Sequence, residues 1–173
     1  MLLPLYPLLL ALLTAMNYKR GGWWIPAALL AAAVGDLCGV CGVFYGQLFC
    51  FAVMTLLLMA DFIPYCDNRR TWGSMASTLL LLLAVMIVAG AEERIPVTLY
   101  AVMVVTMVIL SAFQRRAKWG WYFAATILFA LSDSLLGINR YVASSWLLDR
   151  LWVVFYLASL AFFASLHLGR KAD

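Results

Sequence analysis

The sequence predicts an all-α polytopic membrane protein, a helix bundle with about seven transmembrane helices, from its composition and the lengths of its apolar stretches. Of its 173 residues, 66% are hydrophobic and 12% are charged, and the mean hydropathy is +0.98. A folded soluble domain of this length exposes a large surface to water, and so few polar side chains cannot cover it. The apolar stretches approach the ~20 residues that a helix needs to cross a bilayer, where backbone polar groups must be satisfied internally.

Charged residues, glycines and prolines divide the chain into seven predicted spans. In chain order they cover residues 2–17, 23–41, 43–62, 73–90, 95–113, 119–138 and 146–167. Lys19-Arg20 ends the first span, Gly42 separates the second from the third, Pro64 ends the third, and charged residues separate the later ones. The first span is not expected to be a cleaved signal peptide, because no basic residue precedes its apolar stretch. Since the connections are short, residues 1–173 are predicted to form a single transmembrane helical domain.

The positions of the basic residues predict the orientation of the bundle. If the helices alternate in direction, nine basic residues lie on one side and three on the other. The nine are Lys19, Arg20, Arg69, Arg70, Arg115, Arg116, Lys118, Arg170 and Lys171, and the three are Arg94, Arg140 and Arg150. Basic residues favour the cytoplasmic side, so the N-terminus is predicted outside and the C-terminus in the cytoplasm. These loop residues account for the net charge of +4, and no nucleic-acid partner is implied.

Two aspartates within apolar spans give the strongest functional signal. Asp36 occurs in Gly35-Asp36-Leu37 and Asp133 in Ser132-Asp133-Ser134. A charged side chain near the bilayer centre costs about 2.5–3.5 kcal/mol on insertion scales, so an acid there indicates a functional site. Asp36 lies about thirteen residues along its span and Asp133 about fourteen along its own, and both spans run from inside to outside in the predicted topology. The two carboxyl groups are therefore expected to share a cavity in the outer half of the membrane.

The other acids and the cysteines are given structural or solvated positions. Asp61 is expected at the cytoplasmic interface, Glu93 in a solvated outer loop, and Asp149 at the positive N-terminus of the last helix. Cys38 and Cys41 form a C-x-x-C, but the sequence contains no second pair and one histidine. Free thiols that pack as small apolar groups are therefore predicted in preference to a metal or redox site.

Several functions are compatible with a pair of buried carboxyl groups. Two such groups in a low-dielectric site cannot both ionise cheaply, so one proton donor and one anion are expected. That arrangement serves acid/base catalysis, and equally a small proton-coupled transporter. A third hypothesis is a lipid-binding scaffold in which each aspartate only hydrogen-bonds a neighbouring helix.

The order and spacing of several motifs resemble the YhhN-like family of integral-membrane lysoplasmalogenases. A helix ending in Gly35-Asp36 precedes an aromatic-Gly-x-x-Phe helix start at Phe44 to Phe49. The run from Ser132 to Arg140 is the most specific element, and Tyr156-Leu157-Ala158-Ser159 follows in the last span. The resemblance covers nearly the whole chain, with departures: members usually have eight helices, many carry a histidine at the position of Ala52, and the last helix often has Gln or His at that of Ser159.

The resemblance implies an ether hydrolase that cleaves the sn-1 vinyl ether bond of lysoplasmalogens, which are alkenyl lysophospholipids. The products are a fatty aldehyde and a glycerophospho-alcohol, and neither a metal nor an organic cofactor is expected. One carboxylic acid protonates the vinyl ether, and a carboxylate stabilises the oxocarbenium ion and activates water. The apolar neighbours of Asp36 favour it as the acid, and Ser132 and Ser134 beside Asp133 favour that residue as the base, while the reverse assignment stays open.

Polar residues near the pair are predicted to bind the substrate. They are Tyr45, Gln47, Ser132, Asn139, Arg140, Tyr156 and Ser159. Arg140 is the natural contact for the headgroup phosphate, with the alternative that it only anchors a loop, and Tyr156 and Ser159 are expected to orient an aspartate. The implied partners are the lysophospholipid substrate and membrane lipids, without a protein partner. We expect an integral protein of the bacterial inner (plasma) membrane.

Overall fold

The computed structural model describes residues 3–17, 22–66, 93–116 and 118–169, and in this part of the chain the fold is all-α. The described helices are α1 (Leu5–Ala15), α2 (Trp24–Val40), α3 (Phe44–Phe62), α4 (Arg94–Ala112), α5 (Trp119–Tyr141) and α6 (Trp146–Leu168), and a 3-10 turn, Ile63–Tyr65, extends α3. By length and composition, α3 with its extension, α4, α5 and α6 can each cross a membrane, and α1 and α2 are shorter apolar helices. The predicted all-α class is confirmed.

The fourth predicted span, residues 73–90, lies outside the described residues. The number of seven spans therefore stays a prediction, as does the placement of the N-terminus outside and the C-terminus in the cytoplasm. The other six predicted spans each correspond to a helix, and the bounds differ by a few residues.

Local sequence explains where several helices begin and end. Pro26 and Pro96 lie in the first turns of α2 and α4, where backbone N–H groups have no partner within the helix. Gly42 adopts a φ of +73° directly after α2, and this left-handed residue lets the Val43 N–H donate to the Cys38 carbonyl at 2.9 Å. At the start of α6, the Ser145 hydroxyl accepts a hydrogen bond from the Leu148 N–H at 3.2 Å.

The described helices form a closed ring. Each packs against the next along the chain, and α6 returns to contact α1 and α2. Their facing sides form an apolar core whose largest members are fully buried. These include Ile25, Met54, Met107, Phe129 and Phe163.

Contacts between helix ends establish the relative directions of the helices. The His167 imidazole near the end of α6 lies 3.1 Å from the Thr14 carbonyl near the end of α1, so these two helices are parallel. Cys66 after α3 pairs with Gln114 after α4, so these two are parallel as well. Short connections join α1 to α2, α2 to α3, α4 to α5 and α5 to α6, and the two helices of each of these pairs run antiparallel. Consequently α2 and α5, which carry the two aspartates, run in the same direction and end beside the beginnings of α3, α4 and α6. We call this side of the bundle the cavity end.

At the opposite end, Asp61 forms a buried ion pair that the sequence interpretation did not include. The residue exposure of Asp61 is 4%, a burial that the sequence interpretation does not include, and its position at the cytoplasmic interface stays a prediction. Arg116 donates from Nη1 to the Asp61 carboxylate at 2.8 Å and from Nη2 to the Asp61 carbonyl at 2.7 Å. The guanidinium also lies 3.7 Å from the centre of the Tyr65 ring. A buried carboxylate is tolerated here because a cation neutralises it and satisfies its lone pairs.

Candidate active site

A cavity lies at the cavity end, between α3, α4 and α5. It encloses about 90 Å³ and is lined by Phe44, Gln47, Leu48, Phe51, Val97, Tyr100, Asp133, Leu136, Gly137, Arg140 and Tyr141. A single water requires ~10–15 Å³, so the cavity admits several waters or a short length of hydrocarbon chain. Its wall is mostly apolar, with a carboxyl group at depth and a guanidinium at the mouth. Because α5 rises ~1.5 Å per residue, Asp133 lies about 12 Å below the end of that helix.

Asp133 is held on the cavity wall by a tyrosine from the neighbouring helix. The Tyr100 hydroxyl on α4 donates to Asp133 Oδ2 at 2.6 Å. Because Tyr100 lies on α4 and Asp133 on α5, this hydrogen bond joins two of the three helices around the cavity. The sequence interpretation missed Tyr100, although a tyrosine in an apolar span needs a partner for its O–H group. That requirement is the signal that would have selected it.

Asp36 lies behind the cavity wall. Its residue exposure is 2%, and its Oδ2 accepts a hydrogen bond from the Tyr156 hydroxyl of α6 at 3.0 Å. Phe51 lines the cavity on one side, and on the other it packs edge-on against Tyr156 at 5.8 Å and against Gly35. Asp36 itself is not among the residues that line the cavity. The two carboxyl groups thus accept hydrogen bonds from different tyrosines, Asp36 from Tyr156 and Asp133 from Tyr100.

Three charged or phenolic side chains meet at the mouth of the cavity. Arg140 donates to Glu93 from Nη2 at 2.7 Å and from Nε at 3.3 Å, and the Tyr141 hydroxyl donates to the same carboxylate. These hydrogen bonds, that from Tyr141 first, lower the pKa of Glu93. Glu93 lies in the turn before α4, and its side chain is 23% exposed, so it keeps some contact with solvent while it accepts these hydrogen bonds. Arg140 in turn lies 3.9 Å above the centre of the Phe44 ring.

The comparison with protein families matches nearly the full length of this chain. Residues 2–166 match the YhhN family. The chain belongs to the YhhN family. No curated protein and no solved structure matches it in the corresponding comparisons.

Some of the substrate-binding residues predicted for this YhhN protein lie at the cavity. Gln47 and Arg140 line it directly. Tyr156 lies one layer behind, with its hydroxyl on Asp36. Tyr45 lies outside this group, because its side chain points away from the bundle and the residue is 56% exposed.

The other predicted residues of the YhhN protein are engaged in backbone hydrogen bonds. The Ser132 hydroxyl donates to the Trp152 carbonyl on α6 at 3.0 Å, and the Ser159 hydroxyl to the Tyr156 carbonyl at 2.8 Å. Asn139 accepts from the Ser145 N–H at 2.9 Å and so shapes the turn between α5 and α6. Serine hydroxyls in apolar helices commonly bind carbonyls in this way.

The base role predicted for Asp133 relied on its two flanking serines as donors. Ser132 donates to a carbonyl of α6, and Ser134 donates to the Ala130 carbonyl within its own helix at 2.7 Å. Tyr100 is the hydroxyl that donates to Asp133.

The described part of the YhhN protein contains four free cysteines, Cys38, Cys41, Cys50 and Cys66. Within those residues, no group of three or more His, Cys, Asp or Glu side chains is arranged to hold a metal ion. The polar groups that could meet a ligand at the cavity are thus Asp133, Tyr100, Gln47 and the Arg140 cluster at the mouth.

Proposed function

We propose that this YhhN-family protein is a lysoplasmalogenase-type ether hydrolase of the bacterial inner (plasma) membrane. It would cleave the sn-1 vinyl ether bond of an alkenyl lysophospholipid with Asp133 as the catalytic carboxyl group. The observation that carries this proposal is the position of Asp133 on the wall of an otherwise apolar cavity with Arg140 at its mouth. Family membership supports the same reading.

The distribution of polarity in the cavity suits a lysophospholipid. Such a molecule has a single hydrocarbon chain, an ether bond beside the glycerol, and a phosphate at the other end. Arg140 at the mouth is suited to the phosphate, because a guanidinium fork matches its oxygens. Leu48, Phe51 and Leu136 offer an apolar wall to the chain. With the phosphate at Arg140, the bond next to the glycerol falls deeper, toward Asp133.

The reaction requires one proton donor at carbon and one proton acceptor for water. Asp133 donates its proton to the β-carbon of the vinyl ether, which gives an oxocarbenium ion and an aspartate carboxylate. The carboxylate stabilises the cation and accepts a proton from the water that adds to the α-carbon. In the resulting hemiacetal, Asp133 protonates the glycerol oxygen as the C–O bond breaks and takes the hydroxyl proton. An aldehyde and a glycerophospho-alcohol leave, and the acid is regenerated.

This assignment differs from the roles expected from the sequence. The sequence favours Asp36 as the proton donor, but Asp36 is 2% exposed and is not among the residues that line the cavity. We therefore assign Asp36 a positioning role: it fixes the Tyr156 hydroxyl, and the Tyr156 ring packs against Phe51 on the cavity wall. Tyr100 positions Asp133 directly.

Aldehyde release from a 1-alkenyl lysophospholipid by the purified protein in detergent tests the proposal. A 1-acyl lysophospholipid serves as the substrate control. We expect aldehyde from the alkenyl lipid alone, with activity abolished in Asp133→Asn and reduced in Asp36→Asn. Asp149→Asn is the matched control, because Asp149 accepts a hydrogen bond from Trp152 on α6 and does not line the cavity. No aldehyde from a folded wild-type protein would refute the hydrolase.

A structural role for both aspartates is the competing hypothesis, and a specific observation favours it. Each carboxyl group accepts a hydrogen bond from a tyrosine of another helix, as expected of residues that join membrane helices. The two roles differ in their effect on Asp133→Asn. A catalytic Asp133 predicts lost activity with a nearly unchanged unfolding temperature. A purely structural Asp133 predicts parallel losses of both.

A further inference from the structure

The mouth of the cavity contains a site for an anion that the protein itself fills. Arg140 presents two N–H groups and Tyr141 presents its hydroxyl, and all three hydrogen bonds end on the Glu93 carboxylate. Arg140 and Tyr141 line the cavity, and Glu93 comes from the turn that precedes α4. The carboxylate thus occupies the position that a ligand's phosphate would take at these donors.

We propose that Glu93 is a specificity-determining residue that competes with the substrate's phosphate for Arg140 and Tyr141 and selects headgroups that carry an ammonium group. The inference rests on the proposed function in that a lysophospholipid is the occupant of the cavity. On binding, the phosphate replaces the Glu93 carboxylate at Arg140, and the released carboxylate pairs with the cation of the headgroup.

The geometry of the pair favours such an exchange of partners. Arg140 is held in place by more than Glu93, because its guanidinium lies 3.9 Å above the Phe44 ring, and it therefore stays at the mouth when Glu93 leaves. The side chains of Arg140 and Glu93 are 44% and 23% exposed, so both are accessible at the surface. Among the residues that line the cavity, Arg140 is the cation. A phosphate that enters this cavity must then replace the Glu93 carboxylate as the hydrogen-bond acceptor of Arg140.

Charge decides which headgroups gain from the exchange. A phosphate monoester carries negative charge alone, so it displaces Glu93 and leaves that carboxylate without its cation beside the bound anion. A phosphoethanolamine headgroup brings its own ammonium group, and two new charge pairs replace one. Like charges close together disfavour the first case, and complementary charges favour the second. Glu93 would therefore discriminate against phosphate monoesters.

Equilibrium binding of non-cleavable ligands to the full chain in detergent tests the inference. The probes are 1-O-alkyl lysophosphatidate and 1-O-alkyl lysophosphoethanolamine, each competing with a fluorescent lysophospholipid. For Glu93→Gln, we expect about fivefold tighter binding of the lysophosphatidate and little change for the ethanolamine lipid. For Arg140→Gln, we expect both ligands to bind about tenfold more weakly. Asp149→Asn, which removes an acid from the same end of the bundle, should change neither.

Three results would overturn the inference. The first is that Glu93→Gln has the same ratio of the two affinities as wild type or Asp149→Asn. The second is that Glu93→Gln binds neither lipid. The third is equal competition by glycerol 3-phosphate, which would assign the site to soluble phosphoesters. If Glu93→Gln does not fold, Glu93→Asp keeps the charge and shortens its reach, and an intermediate ratio is then expected; an unchanged ratio again overturns the inference.

Binding and catalysis fail separately in this design. The 1-O-alkyl lipids lack the vinyl group, so their binding reports on the headgroup site alone. If they bind with the expected pattern while the alkenyl lipid yields no aldehyde, the hydrolase is refuted and the headgroup site stands. If aldehyde forms but Glu93→Gln leaves the affinity ratio unchanged, the hydrolase stands and the role of Glu93 in headgroup selection is refuted.

Discussion

The Tyr100 hydroxyl positions Asp133, the carboxyl group that we propose to be catalytic. Its 2.6 Å hydrogen bond fixes Asp133 Oδ2 on the cavity wall. We expect Tyr100→Phe to lower kcat for aldehyde release by about ten- to hundredfold, because the hydrogen bond to the carboxyl group is lost while the aromatic ring remains. Tyr45→Phe is the control, since the Tyr45 side chain lies outside the cavity. Equal activity of Tyr100→Phe and Tyr45→Phe would contradict the positioning role.

The Glu93 ion pair predicts a pH dependence of stability. The hydrogen bonds from Tyr141 and Arg140 lower the pKa of Glu93 below its ordinary value of 4.5. A lowered folded-state pKa stabilises the fold at pH values above 4.5, and the contribution is lost as the pH falls through the lower folded-state value. Because the pair is partly exposed, its contribution is about 0.5–1 kcal/mol.

Unfolding of wild type and Glu93→Gln in detergent, measured from neutral to acidic pH, checks this dependence. We expect wild type to be more stable at neutral pH and the difference to vanish in acid. A difference that stays constant into acid, or one that grows there, would show that the Glu93 carboxylate is not the source.

At the scale of elements, one face of α5 and the facing sides of α3 and α4 enclose the cavity. On α5 the lining residues are Asp133, Leu136, Gly137, Arg140 and Tyr141, which follow the spacing of one helical face. On α3 the residues Phe44, Gln47, Leu48 and Phe51 follow the same spacing. The helical period alone thus brings the acid and the cation to one surface.

Gly137 keeps this face open at the middle of the cavity. A methyl group built at Gly137 would meet no other atom within 4 Å, as is also true of Gly120 at the start of α5. We expect Gly137→Leu to abolish lysophospholipid binding by filling the cavity, while the unfolding temperature stays the same or rises, because leucine favours the helix more than glycine by ~1 kcal/mol. Gly120→Leu should leave binding unchanged. If Gly137→Leu binds the lipid as wild type does, the cavity is not the binding site.

Over the whole molecule, the sequence predicted the all-α class and the relative directions of the helices better than the side-chain contacts between helices. Composition and span lengths predicted the all-α bundle, and alternation of the helices placed Asp36 and Asp133 on parallel helices. The decisive side-chain partners were missed because they are remote in sequence. Tyr100 and Asp133 are 33 residues apart, Glu93 and Arg140 are 47, and Asp61 and Arg116 are 55.

Such partners depend on which helix faces pack together, and hydrophobicity does not specify this. By contrast, the hydrogen bond of the Ser134 hydroxyl to the carbonyl four residues earlier is a local pattern, and the sequence could have indicated it. The sequence interpretation treats Ser132 and Ser134 as possible donors to Asp133, whereas both hydroxyls donate to backbone carbonyls. For a serine within a helix, the carbonyl four residues earlier is therefore a better predictor of the hydroxyl's acceptor than an aspartate next to it in sequence.

The proposed binding site lies at one end of the bundle and the Asp61–Arg116 pair at the other, where we expect it to contribute to stability alone. Arg116 is 10% exposed and Asp61 4% in their side chains, and Arg116 also holds the carbonyl of Asp61 at the end of α3. Removing one partner of a buried pair leaves an uncompensated charge, which typically costs about 3–5 kcal/mol. We expect Arg116→Met to lower the free energy of unfolding by about 3 kcal/mol.

Unfolding in detergent, with Arg150→Met as the control, measures that loss. Arg150 is an exposed arginine whose guanidinium lies 5.7 Å from the Trp146 ring centre, so its replacement should change stability by less than about 0.5 kcal/mol. The double variant Asp61→Leu/Arg116→Met should recover much of the loss, because both buried charges are then removed. Activity per folded molecule should stay unchanged in each, since the pair lies at the end opposite the cavity. Equal stability of Arg116→Met and Arg150→Met would refute the stabilising role of the pair, and lost activity in folded Arg116→Met would show that the two ends are coupled.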